Sequence, residues 1–302
     1  MIEVLVPYHG DPDLMREAMR SVFAQTVAPA RVVVVDDAYP EPWLAPWLER
    51  HTPPHLRAAL IYERNLTNLG ANRNYTKALR LARSEYVTIM GADDLMDPDY
   101  IARGVAVIEN YNRTSAQGPV AVVQPGVRVI ASDGAPAGGL IESVKAALAP
   151  QGPGVAALRG EALAVSLLHG NWTYFPSLIW HRATISDIGF RDYHIVQDLG
   201  LLIDVARRGH TLLRDNEQVT FSYRRHAGSD SAIHTVGGAR FAEERAFFAA
   251  AAAELQAQGW TRAARAARTH WTSRAHAAWL APAAIRGGRP RAAVRALRHA
   301  LT

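Results

Sequence analysis

Residues 85–99, EYVTIMGADDLMDPD, join an apolar run to a pair of adjacent carboxylates. The run from Tyr86 to Met90 is rich in β-branched residues and predicts a buried strand, and Pro98 opens a predicted helix. Parallel strands present ligand-binding groups at their carboxyl ends. Asp93 and Asp94 follow the strand directly, so this pair either caps the next helix or binds a cation or hydrogen-bond donors.

Strand and helix patterns alternate on both sides of this stretch. Strands are predicted at Val4–Val6, at Arg31–Asp37 and near residues 58–63, with helices near residues 13–25 and after residue 74. Continuous apolar strands are typical of parallel sheets covered on both faces. We therefore predict an α/β fold with a Rossmann-like, doubly wound, mostly parallel sheet and a C-terminal helical extension.

The second half of the chain is less regular. Val120–Gln124 and Val127–Ala131 are predicted as separate strands, as are Thr211–Leu213 and Val219–Tyr223. The span Ser132–Gly154 is rich in Gly, Pro and Ala and predicts a surface loop over the site. From residue 237 onward the pattern predicts Ala-rich helix, broken at Gly259, at Pro282 and at residues 287–288.

Composition narrows the class of protein. The chain has 302 residues, 49% of them hydrophobic and 20% charged, which supports a sizeable core and argues against disorder. It contains no cysteine, so disulfides and thiolate metal sites are excluded. The first residues lack a signal-peptide pattern, and no apolar run approaches the ~20 residues of a membrane span. We expect a soluble, cytoplasmic protein.

The net charge of +5 is concentrated at the end of the sequence. Nine arginines and no acidic residue follow Trp260, so the preceding residues are neutral to slightly acidic. This distribution argues against a nucleic-acid-binding core. The tail has three interpretations: it packs back on the domain with a solvated basic surface, it lies on anionic lipid at the inner face of the membrane, or it forms a homodimer contact.

Two predicted strand ends carry paired aspartates, Asp36-Asp37 and Asp93-Asp94, which can face one crevice. The first pair suits a ribose hydroxyl or a base, and the second suits a divalent cation that bridges phosphates. The Gly-x-Gly-x-x-Gly fingerprint does not follow the first strand, and a Walker-type Gly-Lys-Ser/Thr is absent from the sequence. The predicted ligand is therefore a nucleotide other than NAD or a P-loop ATP.

Together these segments resemble family 2 glycosyltransferases with the A-type fold, over roughly residues 1–230. Pro7-Tyr8-His9-Gly10 corresponds to the family's first-strand motif, and Val35-Asp36-Asp37-Ala38 to its Asp-Asp-Gly/Asn-Ser segment. Residues 68–74, NLGANRN, match its Asn-x-Gly segment ending in Arg-Asn. Gly91-Ala92-Asp93-Asp94 corresponds to Asp-x-Asp-Asp with the first aspartate replaced by glycine.

Two later segments extend the resemblance. Residues 188–190 followed by Val196-Gln197-Asp198 match the helix that carries the family's general base, with Gln197 in place of a glutamate. Tyr223-Arg224-Arg225-His226 resembles a late Tyr-Arg-x-His loop. The resemblance implies a transferase domain at residues 1–235, with a donor half at about 1–115 and an acceptor half at about 116–235. Residues 236–302 form the Arg/Ala-rich helical extension.

The resemblance implies Asp198 as the catalytic base and a manganese or magnesium ion as cofactor. The implied metal ligands are Asp93, Asp94 and His226. Aromatic side chains at the predicted acceptor side pack either on a sugar or in the core. Implied donor-binding residues are Pro7, Tyr8, Asp36, Asp37, Asn68, Gly70, Arg73, Ala92, Asp93, Arg224 and Arg225. Implied acceptor-side residues are Asn171, Trp172, Tyr174 and Gln197.

The function that follows is inverting transfer of a hexose from a nucleotide-diphospho-sugar, UDP being the expected nucleotide, to an acceptor hydroxyl that the sequence does not identify. Gln197 and the missing first aspartate leave a second interpretation open, a non-catalytic protein that binds a sugar nucleotide or a glycan. A nucleotidyltransferase is a third interpretation. Such an enzyme usually has a basic, Gly-rich loop after its first strand, and residues 7–13 contain neither Lys nor Arg.

Overall fold

The computed structural model describes residues 1–225, 239–288 and 290–301. The strands are Ile2–Tyr8 (β1), Val32–Asp36 (β2), Leu60–Arg64 (β3), Tyr86–Ile89 (β4), Leu95–Met96 (β5), Val122–Ile130 (β6), Val155–Arg159 (β7), Ile179–His181 (β8) and Thr211–Arg224 (β9). The helices are Pro12–Phe23 (α1), Leu44–His51 (α2), Ala71–Leu81 (α3), Tyr100–Thr114 (α4), Leu140–Leu148 (α5), Gly160–His169 (α6), Arg182–Ile188 (α7), Gln197–Arg207 (α8), Ala239–Ala257 (α9), Thr261–Thr269 (α10), Trp271–Arg286 (α11) and Pro290–Leu301 (α12).

These strands form one twisted sheet in the order β3-β2-β1-β4-β8-β6-β9-β5, with β7 paired to β9. Strands β1 to β4 pair in parallel, whereas β8 runs antiparallel to both β4 and β6. All seven residues of β1 and all five of β2 are buried, as expected for strands covered on both faces. The predicted α/β class is confirmed, and its second half is a mixed sheet.

Helices cover both faces of the sheet. Helices α1, α2 and α4 pack on the face that carries Val4, Val6 and Val34. Helices α3, α6 and α8 pack on the opposite face, which carries Leu5, Val33 and Val35, and α9 and α10 extend this second core. Ala263 and Arg262 at the start of α10 donate backbone N–H groups to Glu161 on α6. The predicted helical C-terminal region is confirmed, and its first two helices share the core of the sheet.

Two predicted strand breaks are wrong. Residues 122–130 form one strand with a register shift around Gly126, and residues 211–224 form one fourteen-residue strand beside it. A β-bulge accommodates the Pro125-Gly126 pair without ending the strand. A Cβ at Gly126 would lie 2.3 Å from the carbonyl oxygen of Gln218, so the two backbones can approach here only because residue 126 is glycine.

The predicted surface loop at residues 132–154 is also wrong in part, since it contains helix α5. None of the nine residues of α5 is fully buried, and Leu148 at its end packs against the main core while partly exposed. At the C-terminus the predicted breaks near Gly259 and after Arg286 are confirmed, but Pro282 lies inside α11. Pro282 is exposed there, where water can bond the carbonyl that loses its N–H donor.

Among the helices of residues 1–225, 239–288 and 290–301, none is both long enough and apolar enough to cross a bilayer.

Candidate functional site

The polar residues singled out in the sequence converge on one edge of the sheet. Strands β1, β2 and β4 end at this edge, and β6 and β9 run in the same direction because both are related to β4 through antiparallel β8. Strand β8 begins at the same edge, which brings the preceding residues 171–177 there. The ends therefore carry Tyr8, Asp36, Asp93, Arg224 and the Asn171 segment.

The first aspartate pair organises the loops on which a nucleotide would rest. Asp36 accepts hydrogen bonds from the Tyr39 N–H at 2.8 Å and from the Tyr62 hydroxyl at 2.9 Å. Asp37 accepts from the Asn65 side chain at 2.6 Å and from the N–H groups of Leu69 and Gly70 at 2.8 and 2.9 Å. Both carboxylates are buried, so Asp37 fixes the loop that leads into α3.

The remaining residues of the predicted nucleoside side surround this loop. Pro7 and Tyr8 are buried in β1, and the Tyr8 hydroxyl donates to the carbonyl of Gly10. The Asn68 amide lies 3.2 Å from a ring nitrogen of His9. Gly70 has a φ of +80°, which favours glycine, and precedes the first turn of α3, where Arg73 is exposed. Asn68 and Arg73 therefore lie on an open face beside β1.

The second aspartate pair converges on the missing side chain of Gly91. A Cβ built there would lie 2.5 Å from Asp94 Oδ2 and 2.8 Å from Asp93 Oδ1. Asp94 Oδ1 accepts the Arg224 backbone N–H at 2.8 Å, whereas its buried Oδ2 has no hydrogen-bond partner. Burial, and after it the charge of Asp93, raises the pKa of Asp94 well above its usual range. Two acidic oxygens thus meet where glycine replaces a carboxylate.

This arrangement fits a hard divalent cation. Magnesium is commonly held by one or two carboxylates together with substrate phosphates, and the unpartnered Asp94 oxygen and the nearby Asp93 supply that donor set. Ala92 directly precedes Asp93 in the sequence and is partly exposed. His226, the third predicted ligand, lies outside the described residues. Among the described residues, no group of three His, Asp or Glu side chains forms a protein-only metal site.

The two arginines at the end of β9 occupy different environments. Arg224 is only 1% exposed, and its guanidinium donates to Glu17 at 2.5 Å, to the Ser132 carbonyl at 2.7 Å and to the Asp93 carbonyl at 2.8 Å. It is therefore a structural residue behind the aspartates, which corrects the expectation that it reaches a donor. Arg225 is exposed and pairs with Glu142 of α5 at 2.7 Å.

Asp198 lies in the first turn of α8, as predicted. Its Oδ1 accepts the Leu199 N–H at 2.7 Å, and its Oδ2 accepts the Asn171 side-chain amide at 2.8 Å. Burial raises the pKa of Asp198, and these two hydrogen bonds and the charge of Lys145 oppose the rise. Its neighbour Gln197 has a buried Oε1 with no hydrogen-bond partner. A carboxylate in this setting is suited to accept a proton.

Sequence reasoning missed Lys145, which lies on α5 in the predicted loop. Its ammonium donates to the Thr173 carbonyl at 2.7 Å and lies 3.9 Å from the centre of the Tyr174 ring. Thr173 in turn donates its hydroxyl and its N–H to Asn171, the partner of Asp198. Burial lowers the pKa of Lys145 to about 8, although the charge of Asp198 opposes that change. Lys145 is thus electrostatically coupled to Asp198.

One signal in the sequence could have revealed this lysine. The chain contains 33 basic residues, of which only Lys77 and Lys145 are lysines. Lys77 also lies at the site, where it donates to Asn65 at 2.7 Å. A buried lysine can lose its proton, whereas arginine stays charged. The two lysines of this arginine-rich chain therefore mark positions at which a basic side chain can become neutral.

The aromatic residues predicted for the acceptor side lie in two different places, one in the core and one at the surface. Trp172 is buried, donates its ring N–H to Ser166 at 3.0 Å and packs in the main core. Of the two expectations for these aromatic residues, a sugar contact or a core position, Trp172 therefore has the core position. Tyr174 is half-buried between Lys145 and Tyr223, whose ring centre lies 5.2 Å away. Asn171 and Tyr174, but not Trp172, therefore border the site around Asp198.

Comparisons with known proteins agree with this arrangement. Residues 3–145 match the family model described as "Glycosyl transferase family 2". The chain is 31% identical over 101 residues to the succinoglycan biosynthesis protein ExoW of Rhizobium meliloti, covering 33% of this chain and 31% of that protein. It is 30% identical over 112 residues to the uncharacterized protein y4gI of Sinorhizobium fredii, covering 37% of this chain and 12% of that protein.

The fold is similar to that of S. aureus TarS 1-349, whose crystal structure was solved in complex with UDP-GlcNAc. The TM-score is 0.61 at 16% sequence identity, over 82% of this chain and 65% of that one. A crystal structure of TarS 1-349 in complex with UDP gives a TM-score of 0.58 at the same identity. The chain thus spans less than two thirds of these relatives, and the structural likeness concerns the fold.

Proposed function

We propose that this chain, whose residues 3–145 match the model of glycosyltransferase family 2, is an inverting hexosyltransferase of that family. The donor would be a nucleotide-diphospho-sugar, with UDP as the nucleotide because TarS 1-349, which shares the fold, was solved with UDP and UDP-GlcNAc. One observation carries the proposal. The aspartates after β4 and the Asp198 network lie at the same edge of one sheet.

The donor half would be residues 1–115. The nucleoside would lie against the open face formed by Tyr8, Asn68 and Arg73, with Asp36 and Asp37 acting through the loops that they fix. The diphosphate would lie near Ala92 and Asp93, and Arg225 would be its cationic partner. The acceptor half would be residues 116–235, and Asn171, Tyr174 and Gln197 would border the acceptor.

A divalent cation would be held by Asp93 and Asp94 and would neutralise charge on the departing diphosphate. The missing first aspartate supports a site in which the donor phosphates supply most of the ligands. Neighbouring protein residues hold the two aspartates in place for this cation. Arg224 holds both aspartates from behind, since its guanidinium donates to the Asp93 carbonyl and its backbone N–H donates to Asp94 Oδ1.

Asp198 would take the proton from the acceptor hydroxyl as that oxygen attacks the anomeric carbon, and the sugar–phosphate bond would break on the opposite face. Asn171 donates a hydrogen bond that favours the ionised form of Asp198 and fixes its orientation. The Lys145 ammonium favours the ionised form through its charge. The proton acceptor would therefore be maintained as a carboxylate despite its burial.

The test is Asp198→Asn, assayed for transfer and for slow hydrolysis of a panel of nucleotide sugars. We expect turnover to fall by roughly 100- to 10,000-fold while donor affinity, measured by calorimetry with manganese, stays unchanged. The exposed neighbour Asp192 provides a matched control, since Asp192→Asn should retain full activity. Full turnover in Asp198→Asn would refute the assigned base. Donor affinity without turnover in the wild-type chain would favour the non-catalytic binding protein.

A further inference from the structure

Helices α11 and α12 each expose apolar side chains. On α11, Trp271, Ala275, Ala278, Trp279, Pro282 and Ile285 are all exposed, at spacings of three, four, seven and eight residues that place them on one helical face. The opposite face of α11 buries Ala277 and Ala281 against Phe241 of α9 and Ala296 of α12. The exposed stripe is therefore additional to the packing that holds the helix in place.

Helix α12, which packs against α11, also exposes apolar side chains. Val294 is 64% exposed, Leu301 is 80% exposed and Ile285 of α11 is 60% exposed, all high values for large aliphatic side chains. Contiguous exposed apolar patches on soluble domains commonly mark interaction sites. The occupant of such a face must supply apolar contact for aliphatic side chains.

Positive charge surrounds the same surface. Arg286 on α11 and Arg291, Arg295 and Arg298 on α12 are exposed, and no acidic residue follows Glu254 anywhere in the chain. The first 259 residues hold all 28 acidic residues against 24 basic ones, so the positive charge is confined to this end. An occupant must therefore also be anionic.

These two requirements select one occupant. We propose that the exposed faces of α11 and α12 form a docking surface for an anionic phospholipid bilayer. Tryptophan, aliphatic and arginine side chains on one helical face are the composition of an interfacial helix, with apolar groups below the headgroups and arginines among the phosphates. A second copy of the chain would bring two arginine-rich faces together, and nucleic acid would leave the aliphatic side chains exposed to water.

The surface also reaches the candidate site. Trp279 lines a cavity of about 420 Å3 together with Leu140 and Glu142 of α5 and with Arg225. Docking on α11 would hold the mouth of this cavity close to the headgroups. The proposal about the bilayer does not depend on the proposed transfer reaction, since it requires only the exposed side chains of α11 and α12.

The experiment is vesicle co-sedimentation of the full chain, at low and high salt, with phosphatidylcholine alone or mixed with phosphatidylglycerol. We expect binding to the mixed vesicles only, weakened by salt. The variant Arg286→Gln/Arg291→Gln should bind roughly 30-fold more weakly, because each arginine near an anionic surface contributes roughly fivefold. The variant Ile285→Gln/Leu301→Gln should lose binding by a comparable factor through its apolar contacts.

Controls separate docking from folding and from general charge effects. The pair Leu66→Gln/Arg113→Gln changes an exposed leucine and an exposed arginine outside these helices and should leave vesicle binding unchanged. Thermal unfolding of each variant shows whether it folds. Failure of the wild-type chain to bind mixed vesicles would overturn the proposal. So would equal binding to neutral vesicles, tighter binding to nucleic acid, or a dimer in light scattering that Ile285→Gln/Leu301→Gln dissociates.

Discussion

The side-chain amide of Asn171 donates a hydrogen bond to Asp198 Oδ2 over 2.8 Å and shares its own oxygen with Thr173. This contact ties the segment before β8 to the first turn of α8. It fixes the amide orientation, because the oxygen of Asn171 already accepts from Thr173. The Asp198 carboxylate therefore always faces a donor rather than a second acceptor.

Replacing this donor by a carboxylate should impair the proposed base. In Asn171→Asp two carboxylates would lie at hydrogen-bond distance, so one proton would be shared and the pKa of Asp198 would rise further. We expect the acidic limb of kcat/KM to move up by about one pH unit or more, so that the activity loss is largest at acidic pH. Asn110→Asp on the exposed end of α4 is the control and should leave the profile in place. An unchanged profile in Asn171→Asp would contradict the coupling.

Lys145 should shape both limbs of the same pH profile. Its pKa of about 8 means that its charge is present at neutral pH and is lost as pH rises through 8. In Lys145→Met the cation is absent at every pH, so the pKa of Asp198 should rise and the acidic limb should move to higher pH. In Lys145→Arg the charge persists, so an alkaline limb near pH 8 should disappear while the acidic limb stays. Identical profiles for Met and Arg variants would argue for packing alone.

Gly91 should resist substitution because the aspartate oxygens occupy its side-chain space. In Gly91→Ala the new Cβ would lie 2.5 Å from Asp94 Oδ2, which forces a buried carboxylate to move. We expect a loss of about 1–3 kcal/mol in the free energy of unfolding, measured in urea. Gly10→Ala is the matched control, since no atom lies within 4 Å of its Cβ, and should cost less than about 0.5 kcal/mol. Equal costs would show that the aspartates adapt freely.

Ala38 should be improved by glycine. Its φ of 55° is in the left-handed region, where an L side chain costs roughly 1–2 kcal/mol, against roughly 0.5–1 kcal/mol of extra chain entropy for glycine. We expect Ala38→Gly to raise the free energy of unfolding by about 0.5–1 kcal/mol. Ala116→Gly, at an exposed loop position without positive φ, should instead be neutral or destabilising. A lower melting temperature for Ala38→Gly would contradict the strain argument.

The sequence predicts those parts of the fold in which burial leaves a clear pattern. The valines of Val32–Asp36 are covered on both faces, so their continuous apolar run identifies a central strand. Helix α5 carries apolar residues at helical spacing, at Leu140, Val144 and Leu148, but the Gly- and Pro-rich residues on both sides of it favour a loop. Pro125-Gly126 has the composition of a turn, but pairing with β9 across a bulge keeps the strand continuous.

The candidate site is likewise predicted only in part by the sequence. Motifs at strand ends locate Asp36, Asp93 and Asp198 because sheet topology places those ends at one edge. The sequence does not distinguish Arg224 from Arg225, since β9 extends to residue 224 and only that extension buries the first of the two guanidinium groups. Trp172 likewise has the composition of a sugar-binding residue, and only the packing of α6 and β8 shows that it belongs to the core.

The scarcity of lysine has a practical consequence. Apart from the amino terminus of the chain, a reagent selective for primary amines has two side-chain targets. Lys77 donates to Asn65, which binds Asp37, and Lys145 donates to Thr173, which binds Asn171. The lowered pKa of Lys145 gives it a larger neutral, nucleophilic fraction than an ordinary lysine at mildly alkaline pH. Mass spectrometry after brief acylation would therefore report the accessibility of these two parts of the candidate site in the unmutated protein.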